Sequence, residues 1–170
     1  ESVGLFVSDG LSGIEDAIKR VYPNSKHQLC GVHLKRNILS LFPHKEKKNI
    51  ALELNNVIQL ETKSLTPIEG FNKLCSFVDK YIKKYPLLKR YKAPRNVAYF
   101  TYLDYPIEVQ RMIYSTNWIE RLNRDYKRVL KMRGAMPTPE SVIALMGAVA
   151  MEKESTTYAY PVYAFRDVQE

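Results

Sequence analysis

The chain has 170 residues, 45% of them apolar, enough for one domain with a real core. Lys and Arg number 26 against 18 Asp and Glu, and the resulting charge of +8 hints at a polyanionic partner, because surface cations displace counterions from phosphates. No apolar run reaches the roughly 20 residues of a membrane span and no secretory signal opens the chain. Two cysteines make no disulfide framework, so a reducing, cytoplasmic setting and no membrane partner are expected.

Ser2 to Ser8 reads as a short, mostly buried strand, and Asp9-Gly10 ends it as a turn. Glu1 stands only a few residues ahead of that strand, an abrupt start that reads as a truncation. Ser12 with Glu15 forms a capping-box pattern, followed at helical spacing by Ile14, Ala17, Ile18 and Val21 until Pro23. His27 to Cys30 suits a second strand, and Leu34, Ile38, Leu41 and Phe42 mark the next helix. Strand–helix–strand–helix order predicts a parallel α/β unit. From Lys45 to about Lys84 the pattern is helical. Thr66, Pro67 and Glu69 start a helix whose predicted inner face is Ile68, Phe71, Leu74, Cys75, Val78 and Ile82. Residues 85–105, rich in Tyr and Pro, read as an irregular connection. Helices are predicted at about 107–114 and 117–132, with another after Thr138-Pro139. The tail from Ser155 shows no clear period. The fold class is therefore α/β, with few strands and a large, mainly helical body.

Asp9 sits where the first strand ends, the place where open α/β sheets hold their sites. An acid there suits a metal, although Asp-Gly also simply makes a turn. Glu120 opens a predicted helix on which Ile119, Leu122, Tyr126, Val129 and Leu130 share an inward face. On the other face Glu120 heads a basic stripe of Arg124, Lys127 and Lys131, with Arg128 and Arg133 nearby. Glu120 is equally readable as a cap partner of Asn117 or as an ordinary i,i+4 partner of Arg124. Cys30 and His33 have the spacing of half a zinc site. His27, His44 and Cys75 form no second spaced pair, so a buried Cys and a hydrogen-bonded His are expected instead.

These segments together resemble the mutator-type transposases of bacterial insertion sequences. The matching pieces are Val7-Ser8-Asp9-Gly10-Leu11, the run from Gln28 to Asn37 that contains Cys30-Gly31-Val32-His33, the run from Ile113 to Arg124, and Lys131-Met132-Arg133-Gly134-Ala135-Met136-Pro137. The resemblance runs from about Val7 to Lys153. It implies a ribonuclease H-like core with an Asp-Asp-Glu triad that binds Mg²⁺ or Mn²⁺ and performs DNA strand cleavage and transfer in transposition. Asp9 matches the second Asp, Glu120 the catalytic Glu, and Cys30 with His33 the family's Cys-His signature, expected to be structural or supporting.

On that footing residues 1–44 belong to the core, 45–110 are a helical insertion, and 111–154 return to the core with Glu120. Residues 155–170 stay unassigned. The first Asp of the triad would lie on an earlier strand, and Asp16, Asp79 and Asp104 do not stand in matching contexts. The chain alone is therefore expected to be impaired. The partner implied is double-stranded DNA, at transposon ends and target, contacted by Arg124, Lys127, Arg128, Lys131 and Arg133, with Lys35 and Arg36 on the earlier helix. The longer protein is expected to be a homo-oligomer. A non-enzymatic helical DNA-binding module is the alternative.

Overall fold

Leu5–Ser8 forms strand β1 and Lys26–Leu29 forms β2 in the computed structural model, which describes residues 3–160 and 162–163. The two pair in parallel, with Leu5 opposite Lys26 and Ser8 opposite Leu29. A parallel pair needs a crossover, and helix α1 (Ile14–Val21) supplies it. The predicted start of the strand at Ser2 lies outside the described residues.

The start of α1 departs from expectation. Ser12 and Glu15 form no capping box, because the residue preceding the helix is Gly13, at a φ of +85°, and no side chain caps it. Gly10, at +83°, bends the same loop, and only glycine takes such angles at little cost. Glu15 instead pairs with Lys19 at 3.0 Å.

Helices α2 (Gly31–Leu39), α3 (His44–Val57) and α4 (Pro67–Tyr81) follow. At the start of α4 the predicted box is present. Thr66 Oγ1 accepts from the Glu69 amide at 3.3 Å, and Glu69 Oε2 accepts from the Thr66 amide at 2.7 Å. The buried face of α4, however, is Gly70, Leu74, Phe77 and Val78, and Ile68 is 64% exposed.

The reason lies in the stretch expected to be irregular. It folds into three successive 3-10 helices, Pro86–Lys92, Pro94–Tyr99 and Thr101–Asp104, all laid on α4. They bury Leu88, Tyr91, Phe100, Tyr102 and Leu103. A Cβ at position 70 would stand 2.5 Å from Phe100 Cδ1, so Gly70 is what lets the Phe100 ring close on the helix. Proline at the first turn of two of these helices suits their fixed φ, which is why a Pro-rich stretch is ordered here.

Helix α5 (Ile107–Ile113) completes the first of two compact units, which runs to Thr116. The second unit begins at Asn117 and contains α6 (Asn117–Arg133) and α7 (Pro139–Ser155), packed on each other. On α6 the expected inner face is only partly covered. Leu122, Tyr126, Val129 and Leu130 are half-buried while Ile119 is 54% exposed, because among the described residues of this unit α7 is the one helix against α6. Lys153 pairs with Asp125 at 3.1 Å across the two helices, and the Trp118 and Tyr158 rings stand 5.6 Å apart. The described part of the chain is thus mainly helical with one two-stranded parallel sheet in its first unit, an α/β composition, and none of its helices is long and apolar enough to cross a membrane.

Candidate metal and nucleic-acid site

Asp9 is the first residue beyond β1 and is exposed. Its Oδ1 accepts from the Leu11 amide at 3.3 Å, so the turn-making role and an outward carboxylate coexist. Behind it the loop is fixed by Ser8, whose Oγ accepts from the Gly10 amide at 3.3 Å and stands 2.8 Å from His27 Nε2. Burial in this position pushes the His27 pKa below its ordinary value. The loop Gly10 to Gly13, His27 and Arg95 line a cleft of about 130 Å³.

Cys30 is fully buried directly after β2. Its Sγ accepts from both the amide and the Oγ1 of Thr116, each at 3.4 Å. Next to it the Gly31 amide donates to the Tyr114 carbonyl at 2.8 Å. A Cβ on Gly31 would meet Tyr114 Cδ2 at 3.1 Å and its carbonyl oxygen at 3.3 Å, a tight fit that glycine avoids. The Cys30-Gly31 junction is therefore a seat for the backbone of Tyr114–Thr116, the segment that leads into α6. His33 is half-buried on the first turn of α2.

Glu120 lies in the first turn of α6 and is half-buried. It shares a surface recess with Asn123, Arg124 and Lys127, the neighbours expected at one and two helical turns. Arg124, Lys127, Arg128, Lys131 and Arg133 are all exposed. On α2, Arg36 is exposed, but Lys35 is half-buried and its Nζ donates to Asn55 Oδ1 at 2.9 Å, tying α2 to α3. Burial lowers the Lys35 pKa. Asp9 and Glu120 fall in different compact units. Among the described residues no three His, Cys, Asp or Glu side chains gather into one metal-binding group.

Sequence reasoning missed Gln28. It is fully buried at the end of β2, with Nε2 donating to the Tyr99 carbonyl at 3.0 Å and Oε1 accepting from the Tyr102 amide at 2.6 Å. Thr101 Oγ1 adds a bond to the His27 carbonyl at 2.8 Å. These bonds fasten the 3-10 segment to the edge of β2. The signal that could have found it is a polar side chain placed just before Leu29 and Cys30 where the strand enters the core, which must find partners when buried.

A strand-end acid, a buried Cys-Gly seat and an acid heading a basic helix are carried here by one mainly helical α/β chain. Residues 1–159 match the family described as "Transposase, Mutator family", and the chain belongs to that family. It is 31% identical over 151 residues to the transposase for insertion sequence element IS1201 of Lactobacillus helveticus, covering 89% of this chain and 40% of that protein. It is 29% identical over 147 residues to the transposase for ISRM3 of Rhizobium meliloti, covering 86% and 36%. It is also 29% identical over 150 residues to the transposase for IS256 in transposon Tn4001 of Staphylococcus aureus, covering 87% and 37%. The chain thus spans some two fifths or less of the length of these relatives.

Proposed function

We propose that this chain is part of the DNA-cleaving and strand-joining core of an insertion-sequence transposase. In this reading residues 1–44 and 111–154 contribute to one ribonuclease H-like core of the Asp-Asp-Glu type, and 45–110 are inserted between them. Asp9 and Glu120 each present carboxylate oxygens, the donor type that Mg²⁺ or Mn²⁺ prefers. When bound, such ions would supply an activated water or 3′-hydroxyl and stabilise the departing oxygen.

The chain's own residues have simpler tasks. The exposed carboxylate of Asp9 engages Oδ1 with Leu11 only at 3.3 Å, a weak hold that a cation can displace. Arg124 and Lys127 flank Glu120 and would hold phosphates beside it. Cys30 and Gly31 position the backbone ahead of Glu120 and take no part in binding metal. The observation that carries the reading is this last junction, because it joins the Cys-His stretch to the stretch that leads to the glutamate. Two carboxylates are fewer than the triad requires, so the 170-residue chain alone is expected to be impaired. Double-stranded DNA at transposon ends and target is the proposed substrate, and a homo-oligomer in the cytoplasm the proposed working form.

Iron-directed cleavage tests the reading. Fe²⁺ in place of Mg²⁺ should cut the backbone next to both Asp9 and Glu120, and Asp9→Asn or Glu120→Gln should suppress both sets of cuts. Cuts at one acid that ignore the other would sink a shared site. In a transposase containing this segment, Glu120→Gln should abolish strand transfer and leave DNA binding intact. A second reading, a non-enzymatic DNA-binding module, is favoured by the exposure of Arg124, Lys127, Arg128 and Lys131. It requires binding that weakens steeply with salt, indifferent to metal, and no nicking.

A further inference from the structure

We propose that the 3-10 segment after α4 carries a second phosphate-binding track for duplex DNA, built on Lys83, Lys89, Arg90 and Arg95 and ending at the cleft of the loop that follows Asp9. This inference rests on the transposase reading for its choice of polyanion. Between Lys80 and Arg95 the chain has seven Lys or Arg and no Asp or Glu, interleaved with Tyr81, Tyr85 and Tyr91.

The structure divides these cations into two sets. Lys80, Lys84 and Lys92 are consumed internally, paired with Glu53 at 2.9 Å, Glu46 at 2.8 Å and Asp79 at 2.7 Å. They fasten this region to α3 and α4. Lys83, Lys89, Arg90 and Arg95 are exposed, and among the described residues none has an acidic partner within ion-pair distance.

Their presentation is fixed by the helix type. A 3-10 helix repeats every three residues, so Leu88 and Tyr91 form the buried row of Pro86–Lys92, and Lys89 and Arg90 fall on the other rows. Arg90 is further held in place. Its guanidinium lies over the Tyr91 ring, 4.9 Å from the centroid, and donates to the Tyr91 hydroxyl at 2.8 Å. A guanidinium held this way loses less freedom on meeting a phosphate. Arg95 lies further along and lines the cleft of the loop that follows Asp9, where Glu15 and Asp16 also stand and Glu15 feels its charge without forming an ion pair with it. A DNA backbone following these cations would therefore reach the cleft of the loop that follows Asp9. A surface that neutralises one set of cations internally and leaves the other to solvent fits a partner that brings its own regular negative charge.

The test is fluorescence anisotropy of the 170-residue chain with a short random-sequence duplex over a range of salt, together with lysine acylation read by mass spectrometry. The variant K83A/K89A/R90A/R95A should flatten the slope of log affinity against log salt by about 3 to 4, near 0.9 for each phosphate no longer neutralised. Duplex should protect Lys83 and Lys89 of the unaltered chain from acylation, a readout that no variant's folding can confuse. An unmoved slope, or lysines as reactive with duplex as without, would overturn the proposal. So would tighter binding to polyglutamate or to anionic vesicles than to duplex. The two proposals fail separately, because strand transfer retained by Glu120→Gln sinks the catalytic reading and leaves the salt slope and acylation pattern as they are.

Discussion

Helices α4 and α7 start alike and end in different circumstances. Each begins at Thr-Pro, and in each the threonine Oγ1 accepts from the backbone amide three residues on at 3.3 Å. Yet α4 buries Gly70, Leu74, Phe77 and Val78, whereas α7, the more apolar of the two, buries Val149 alone and leaves Ile143 and Met151 about 70% exposed. The contrast separates two instructions in a helical sequence. A capping threonine with proline fixes where a helix begins. Which side becomes core is fixed by what is laid on it, and α4 has α3 and three 3-10 helices against it while α7 has α6 within its unit.

Large-to-small substitution should give the widest gap between the regions. Phe100→Ala removes a fully buried ring from the face of α4 and should cost about 3–5 kcal/mol in urea unfolding. Met151→Ala on α7 should stay within about 0.5 kcal/mol. Comparable losses from the two would break the distinction.

The glycines sharpen it, because there the sign changes. In an open helix Gly→Ala stabilises by roughly 0.5–1 kcal/mol. Gly147→Ala should do so, since nothing stands within 4 Å of the added Cβ. Gly70→Ala should destabilise by about 1–3 kcal/mol, because the Cβ would press on Phe100 and Leu103. Thermal melts of the two variants moving in the same direction would refute the packing account. The caps should then behave alike. Thr66→Ala and Thr138→Ala should each cost about 1 kcal/mol, with the former the larger because Thr66 and Glu69 also satisfy each other reciprocally.

The same contrast explains what was legible in the sequence. Thr66-Pro67-Glu69 announced α4 because a cap is a local matter, satisfied by groups three residues apart. The short runs Ser2 to Ser8 and His27 to Cys30, each closed by a turn or a helix start, announced two strands for the same reason, and the second strand is shifted by one residue, to Lys26–Leu29. The inner face of α4 was read correctly at Leu74 and Val78 and missed at Gly70 and Phe77, because residues 86–104, which cover it, carry no helical period of 3.6. Their three-residue period is written in Leu88 and Tyr91 only once the turn type is known. Of the proposed site, Asp9 and Glu120 stood out as acids at a strand end and a helix start, and the exposed basic face of α6 followed from helical spacing. The bond of Cys30 to Thr116 was not visible, since it joins residues 86 positions apart through a sulfur that a sequence shows only as a buried thiol. Ser12 with Glu15 was the opposite case, a correct-looking box cancelled by a glycine whose φ moved the helix start.

The smallest effects are expected from pH, and they arise in the first unit. His27 is held below its ordinary pKa by burial, so the unfolded chain binds the proton more readily than the folded one. Stability should then be complete above about pH 6.5, the ordinary value, and decline as pH falls from there through the lowered folded value. A second decline should start near the ordinary carboxylate range. Glu53 is held low by the Tyr81 hydroxyl at 2.7 Å and by Lys80, and Glu46 by Lys84 and the Tyr85 hydroxyl. Both lose this stabilisation as pH falls through their depressed values, which loosens α3 from the end of α4. Urea midpoints measured over about pH 7.5 to 3, a range that spans the ordinary His and carboxylate values, should show both steps. His27→Gln should erase the upper step and keep the lower, and Glu53→Gln should reduce the lower and keep the upper. A single featureless slope in all three proteins would mean that neither the half-buried imidazole nor the Glu–Lys–Tyr contacts hold this unit together.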